Sequence, residues 1–145
     1  MTATNPADEH VQRLITLTER LTQQIALDAD AFEARRSHEA ADRMEQTAKL
    51  ANLYRHEAAR MKQDPRVVAA ASAELRRRLI RASESFEAVL ARHGRALHAA
   101  KTITEGIVRA IAEEADRART AVAGYGPGAR TQAAAAAPIA LNRRA

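Results

Sequence analysis

Residues 62–75 read KQDPRVVAAASAEL, and this stretch decides how the chain is arranged. The ring of Pro65 clashes with a preceding helical turn, and it also moves Asp64 away from the α region. Ser72 stands directly before an apolar-periodic segment, which is the usual place of a helix N-cap. We therefore predict a turn over about residues 63–72, with a helix on each side.

The segment before this turn has the pattern of one long helix. Asn5 and Pro6 are typical of an N-cap and a first-turn proline. Apolar and small residues then alternate three and four apart, which keeps one side of a helix against a partner. The stripe changes phase at an eight-residue step between Phe32 and Ala40, where we expect a weaker helix. The pattern predicts a first helix over about residues 6–62.

A more regular stripe follows the turn and predicts a second helix over about residues 73–122. Its members are Leu75, Leu79, Ala82, Phe86, Val89 or Leu90, His93, Leu97, Ala100, Thr104, Ile107 and Ile111. Gly124 is well placed to end this helix. At about 1.5 Å per residue, each helix would be roughly 75 Å long. The predicted fold is all-α: a long, antiparallel, coiled-coil-like helical hairpin or bundle within residues 1–123.

The composition agrees with long helices around a thin core. Alanine supplies 36 of the 145 residues and buries little area when it packs. The chain has no Cys, so it has no disulfide framework and fits a reducing compartment. The N-terminus lacks the pattern of a secretory signal, and no stretch approaches the roughly 18 apolar residues of a membrane span. We expect a cytoplasmic protein without membrane insertion.

The excess positive charge lies near the C-terminus. After Asp116 the chain has five arginines and no acidic residue, so residues 1–116 hold as many acidic as basic groups. Residues 124–145 combine Gly-Tyr-Gly-Pro-Gly with an alanine run and Pro138, which predicts a disordered basic tail. Non-specific nucleic-acid binding needs many cations along one surface, so a neutral helical body favours a protein partner instead.

The sequence contains no catalytic motif. The five histidines are scattered, and the closest pair, His93 and His98, does not share a helix face. No phosphate loop, nucleophile elbow or zinc-protease motif occurs. The aromatic residues Phe32, Tyr54 and Phe86 lie on the stripes and are interpreted as packing residues. We therefore expect no enzyme, no catalytic or metal site and no cofactor.

A two-helix hairpin buries only one face of each helix. It leaves apolar surface that a third helix could cover, supplied by a second copy or by a client protein. In the tail, Tyr125 and the segment Ile139-Ala140-Leu141 are further candidates for partner contact. The leftover surface is the main argument from the residues for a binding role.

The chain resembles the FlgN-like flagellar export chaperones, and within them the alphaproteobacterial FlbY type. The resemblance rests on LANLYRHE at residues 50–57, AVLARHGRAL at residues 88–97, a Tyr-Gly-Pro-type segment after the last helix, and the terminal IALN at residues 139–142. It implies a small cytoplasmic type III export chaperone that keeps hook-associated proteins unpolymerised. The implied partners are those or other export substrates and the export apparatus.

In this family the client contact tends towards the C-terminal helical region. Together with the tail candidates, the predicted partner-binding residues are Leu97, Ile103, Ile107, Ile111, Val122, Tyr125, Ile139 and Leu141. Two alternatives stay open: a basic coiled-coil protein that associates with nucleic acid through its tail, and a structural homo-oligomer whose stripes cover one another.

Overall fold

The computed structural model describes residues 3–124. It contains four helices and, within those residues, no strand: α1 (Pro6–Glu33), α2 (Ser37–Gln63), α3 (Pro65–Ala70) and α4 (Ala73–Ala123). The predicted all-α class is confirmed. The chain divides into two compact units, Met1–Ala100 and Lys101–Ala145. The predicted tail lies outside the described residues except for Gly124.

The predicted helix starts agree with the backbone contacts. The Asn5 side chain caps α1 by accepting a hydrogen bond from the amide of Ala7 at 3.0 Å. Its Nδ2 also donates to the carbonyl of Ala70 at 2.9 Å, which attaches the start of α1 to α3. The Ser72 hydroxyl accepts from the amide of Leu75 at 3.3 Å at the start of α4. These side chains satisfy backbone groups that a helix end would otherwise leave unpaired.

The predicted first helix over residues 6–62 is wrong, because the chain reverses within it. Helix α1 ends at Glu33, and Arg35 adopts a left-handed conformation with φ 60°. The amide of Arg36 then donates to the carbonyl of Ala31 at 2.8 Å, which closes the turn. The break coincides with the phase shift of the apolar stripe. The reversal lets both halves of the stripe face one core, which a straight helix could not do.

The pairs across the α1–α2 interface give the direction of these two helices. Asp28 pairs with Arg43, and Arg13 pairs with Glu57. Residue numbers rise along one helix as they fall along the other, so α1 and α2 are antiparallel.

The first part of α4 runs parallel to α1. Gln12 accepts a hydrogen bond from Arg78 at 3.1 Å, and Glu33 pairs with Arg92 farther along both helices. The Tyr54 ring of α2 contacts the Phe86 ring of α4, with centroids 5.1 Å apart. The two-helix hairpin is therefore corrected to a three-helix arrangement in the first unit. The chain itself supplies the third helix that the hairpin prediction left to a partner.

The core is strongest near the N-terminal end of α1. The buried cluster there consists of Val11, Leu14, Ile15, Met61, Ala71 and Ala82, and α3 packs against it. Towards the α1–α2 turn, the buried apolar side chains are alanines, namely Ala29, Ala31, Ala40 and Ala96. The aromatic residues pack as predicted, since Phe32 also meets His93 edge to face at 5.7 Å. The two ends of the bundle are thus stabilised differently.

The described part of the second unit, residues 101–124, is helical to Ala123 and exposed along its length except for a half-buried Ala123. About 23 helical residues span roughly 35 Å at 1.5 Å per residue. No helix among residues 3–124 is long and apolar enough to cross a membrane.

Candidate functional site

The predicted partner-binding residues fall into three groups. Leu97 belongs to the first unit and is half exposed. Four residues of the second unit form what we call the α4 stripe, and each is between 42% and 68% exposed: Ile103, Ile107, Ile111 and Val122. Tyr125, Ile139 and Leu141 lie outside the described residues. The structure therefore places five of the eight predicted residues on α4, and four of these five form the α4 stripe of the second unit.

The geometry of the α4 stripe follows from helix periodicity. Steps of four residues separate Ile103, Ile107 and Ile111, and Val122 lies eleven residues, or three turns, farther on. The side chains therefore share one side of α4. Apolar side chains scattered singly over a surface are ordinary, whereas contiguous apolar patches mark interaction sites.

The charged residues around the α4 stripe form ion pairs within the helix. Lys101 pairs with Glu105, and Glu114 pairs with Arg117 at 3.6 Å. These pairs follow the three- and four-residue spacing of neighbours on a helix surface. Because these charges are paired within the helix, the apolar row can bind an apolar partner surface without a strong charge preference.

A second apolar surface lies in the first unit and was not predicted. It is a groove of about 690 Å³ between α2 and α4, and its walls include Phe32, Ala40, Met44, Ala48, His93 and Leu97. The sequence pattern placed Met44 on the packed stripe, but this side chain is 66% exposed. The other α2 members of that stripe are buried or half-buried, so the stripe side of α2 still faces the core. The groove itself depends on the reversal at Arg35, which brings the start of α2 beside α4. That reversal carries no glycine or proline signal, so the groove was missed.

Charged side chains join the helices beside this groove. The Arg92 guanidinium on α4 donates to both carboxylate oxygens of Glu33, with distances of 2.9 and 2.7 Å, and also to Asp30. The hydrogen bond from Arg92 holds the pKa of Glu33 below its ordinary value of 4.5, although partial desolvation opposes this shift. The bonds to Glu33 and Asp30 in turn raise the pKa of Arg92.

The arginines at the start of α4 are engaged in polar contacts. Glu74 pairs with Arg77 at 3.1 Å and with Arg81 at 3.6 Å. The Arg76 side chain donates to the carbonyl of Ala69, and Arg78 bonds across to α1. Among residues 3–124, no group of three or more His, Cys, Asp or Glu side chains could hold a metal ion.

The comparison with known proteins identifies the family. No established family profile matches the chain, and no solved structure is similar to it. The chain is 53% identical over 144 residues to the flagellar basal-body protein FlbY of Caulobacter vibrioides, and the alignment covers 96% of this chain and 95% of that relative. The chain belongs to the FlbY family of flagellar proteins.

Membership of the FlbY family confirms the FlbY-type resemblance seen in the sequence. The alignment covers nearly the whole of both chains. Apart from residues at the ends of the alignment, the three-helix unit and the α4 stripe therefore both lie within FlbY-like sequence. The broader FlgN-like assignment has no matching profile and stays a prediction. Membership of this family indicates a flagellar role.

Proposed function

We propose that this FlbY-family protein is a flagellar export chaperone or assembly protein. It binds hook-associated or other flagellar export substrates through the α4 stripe, and it delivers them to the export apparatus. The observation that carries the proposal is the row of exposed apolar side chains Ile103, Ile107 and Ile111 on one side of a helix. The flagellar name of the 53% identical relative supplies the setting.

The energetics of the α4 stripe suit transient binding. Removing apolar surface from water gains about 25 cal/mol per Å², so covering each half-exposed Ile contributes on the order of 1 kcal/mol. Part of that gain is offset by the lost freedom of the two partners. A short stripe of this kind holds an apolar segment of a client while still permitting its release during export.

The distribution of charge supports a protein partner over nucleic acid. The acidic and basic groups balance within residues 1–116, and the pairs beside the α4 stripe neutralise one another. Binding to a phosphate backbone instead relies on a row of unmatched cations along one surface. On this proposal the protein is cytoplasmic and acts by binding rather than by catalysis, without a cofactor.

The proposal is tested by affinity capture with one variant and a matched control. Ile107→Glu places a charge in the α4 stripe, whereas Ile80→Glu makes the same change at a comparably exposed position of α4 in the first unit, 58% against 55%. Tagged chains are incubated with a lysate of a flagellated alphaproteobacterium at moderate salt. Bound proteins are identified by mass spectrometry, and circular dichroism checks that helicity is unchanged.

The wild-type chain and Ile80→Glu should retain flagellar export substrates, and Ile107→Glu should lose them. Equal capture by all three chains would exclude the α4 stripe as the client site. Capture of nucleic acid alone, lost steeply as salt rises, would support the nucleic-acid alternative. A stable dimer of the purified chain that Ile107→Glu dissociates would support the homo-oligomer alternative.

A further inference from the structure

The C-terminal part of α1 carries an unfavourable arrangement of charge. Asp28, Asp30 and Glu33 all lie within its last six residues, and its last turn contains no basic residue. The C-terminus of a helix is the negative end of its dipole, so carboxylates destabilise it there. Asp30 and Glu33 are also three residues apart, a spacing at which like charges repel. Taken by itself, this end of α1 is a poor helix.

The compensating cations come from the other two long helices. Arg43 of α2 lies 3.0 Å from the carboxylate of Asp28. Arg92 of α4 binds both oxygens of Glu33 and reaches Asp30 as well. The last turns of α1 are therefore stabilised only while α2 and α4 are docked against them.

Apolar packing at this end of the bundle is limited to the edge-to-face contact between Phe32 and His93 and to small buried side chains. The buried apolar side chains near the turn are alanines, whereas Val11 and Ile15, both fully buried, lie towards the other end. The turn itself contains Arg35 at φ 60°, a conformation that costs a residue other than glycine about 1 kcal/mol. A small apolar gain and a strained turn leave ionic contacts as the main restraint on this end.

From these contacts we infer that the α1–α2 turn end, residues 28–43, opens locally while the rest of the bundle stays folded, and that Arg92 is the latch that keeps it closed. Opening separates Asp30 and Glu33 from Arg92, which removes the compensation that stabilises the last turns of α1. The start of α2 is released with them. Phe32 and Ala40 line the α2–α4 groove, so opening exposes additional apolar surface beside it.

Hydrogen exchange of the full chain, followed by mass spectrometry, tests this inference. Peptides from residues 28–43 should exchange by local opening, several-fold faster than peptides from residues 11–18 and 54–61. Raising the NaCl concentration from about 0.05 to about 1 M should speed exchange selectively at residues 28–43, because the latch groups are partly exposed and screened by salt.

The variant Arg92→Met removes the latch charge and keeps most of the side-chain length. Arg77→Met is the control, because Arg77 pairs with Glu74 of its own helix, α4. Exchange at residues 28–43 should rise several-fold in Arg92→Met and not in Arg77→Met. A uniform rise along all three helices would overturn the inference, since Arg92 would then stabilise the bundle as a whole. If Arg92→Met does not fold, the salt series on the wild-type chain decides, and salt-independent exchange at residues 28–43 would equally overturn it.

Discussion

Nε of Arg43 on α2 donates to Oδ1 of the buried Asp28 carboxylate on α1 at 3.1 Å, and Nη2 lies 3.0 Å from the same oxygen. The Asp28 side chain is only 8% exposed, and the Thr47 hydroxyl bonds its other oxygen at 3.4 Å. Arg43→Met would leave this carboxylate buried without its countercharge. Because the desolvation of Asp28 would no longer be compensated, we expect a loss of about 1–3 kcal/mol in the free energy of unfolding, measured by urea denaturation.

Lys49→Met is the control for this prediction. Lys49 forms an exposed pair with Glu45 along α2, so its loss should cost under about 0.5 kcal/mol. The double variant Asp28→Asn with Arg43→Met removes both charges and should recover part of the stability. Similar costs for Arg43→Met and Lys49→Met would show that the Asp28 contact does not stabilise the α1–α2 interface.

Acid should destabilise the protein through Glu33 and Glu74. The side-chain hydrogen bond from Arg92 lowers the pKa of Glu33, and that from Arg77 lowers the pKa of Glu74. A carboxylate whose folded pKa is depressed stabilises the fold above its unfolded pKa and loses that effect as pH falls through the folded pKa. Urea midpoints should therefore decline as the pH falls below about 4.5, the ordinary pKa of Glu33 and Glu74.

Glu33→Gln provides the check on this pH dependence. The amide cannot ionise, so the variant should lose less stability than the wild type over the same acid range. A decline of unchanged steepness would mean that other groups dominate the acid response.

Truncation of an isoleucine should lower the stability strongly in the core and change it very little in the α4 stripe. Ile15 is fully buried, and Ile15→Ala should lower the free energy of unfolding by about 2–5 kcal/mol, because the lost methyl groups leave a cavity. Ile111 is 64% exposed, and Ile111→Ala should change stability by less than about 0.5 kcal/mol. Chemical denaturation measures both. A large cost at Ile111 would show that the purified chain already buries the α4 stripe.

Gly94 and Gly106 should both tolerate alanine. A Cβ at either position would meet no atom within 4 Å, and neither residue needs a positive φ. Glycine within a helix costs roughly 0.5–1 kcal/mol relative to alanine. We expect Gly94→Ala to raise the urea midpoint, and Gly106→Ala to raise the helix content or the local exchange protection of residues 101–124.

The variant Gly106→Ala also tests how closely a partner packs against this part of α4. Gly106 lies three residues after Ile103, at the edge of the side of α4 that carries the α4 stripe, so a partner that packs closely there would meet the added methyl group. Unchanged client capture by Gly106→Ala would indicate that the partner does not approach this position closely. A decrease in stability for either glycine variant would contradict the open surroundings of these residues.

Several parts of this fold could be predicted from the residues because they depend on local chemistry. Asn5 caps a helix through its own side chain, and Pro65 cannot continue one. The three- and four-residue spacing from Leu75 onward predicted α4 to within one residue of its observed end. The same spacing correctly predicted that Ile107 and Ile111 share one side of that helix.

The missed features depend on contacts between distant residues. The phase shift near Phe32 indicated a weak point, but a straight helix and a reversal are both compatible with that pattern. The reversal occurs at Arg35, which adopts a left-handed backbone conformation although it is not a glycine, the residue that usually indicates such a turn in a sequence. It is stabilised in part by Arg92, which lies 59 residues after Glu33 in the sequence. The local spacing of apolar residues cannot predict a contact between residues so far apart in the sequence.

The sequence by itself therefore determined the helical class, the caps at Asn5 and Ser72 and the apolar rows along the helices, because each depends on neighbours within a few residues. Only the tertiary structure decided which rows are covered. Helix α2 folds back and supplies the third helix of the first unit, which buries Ile15 and leaves Met44 beside a groove, while Ile103, Ile107 and Ile111 stay exposed. The physical reason is that a side chain becomes buried only where helices pack against one another. The direction of α2 was fixed at Arg35 by contacts between distant residues, which the sequence pattern does not contain.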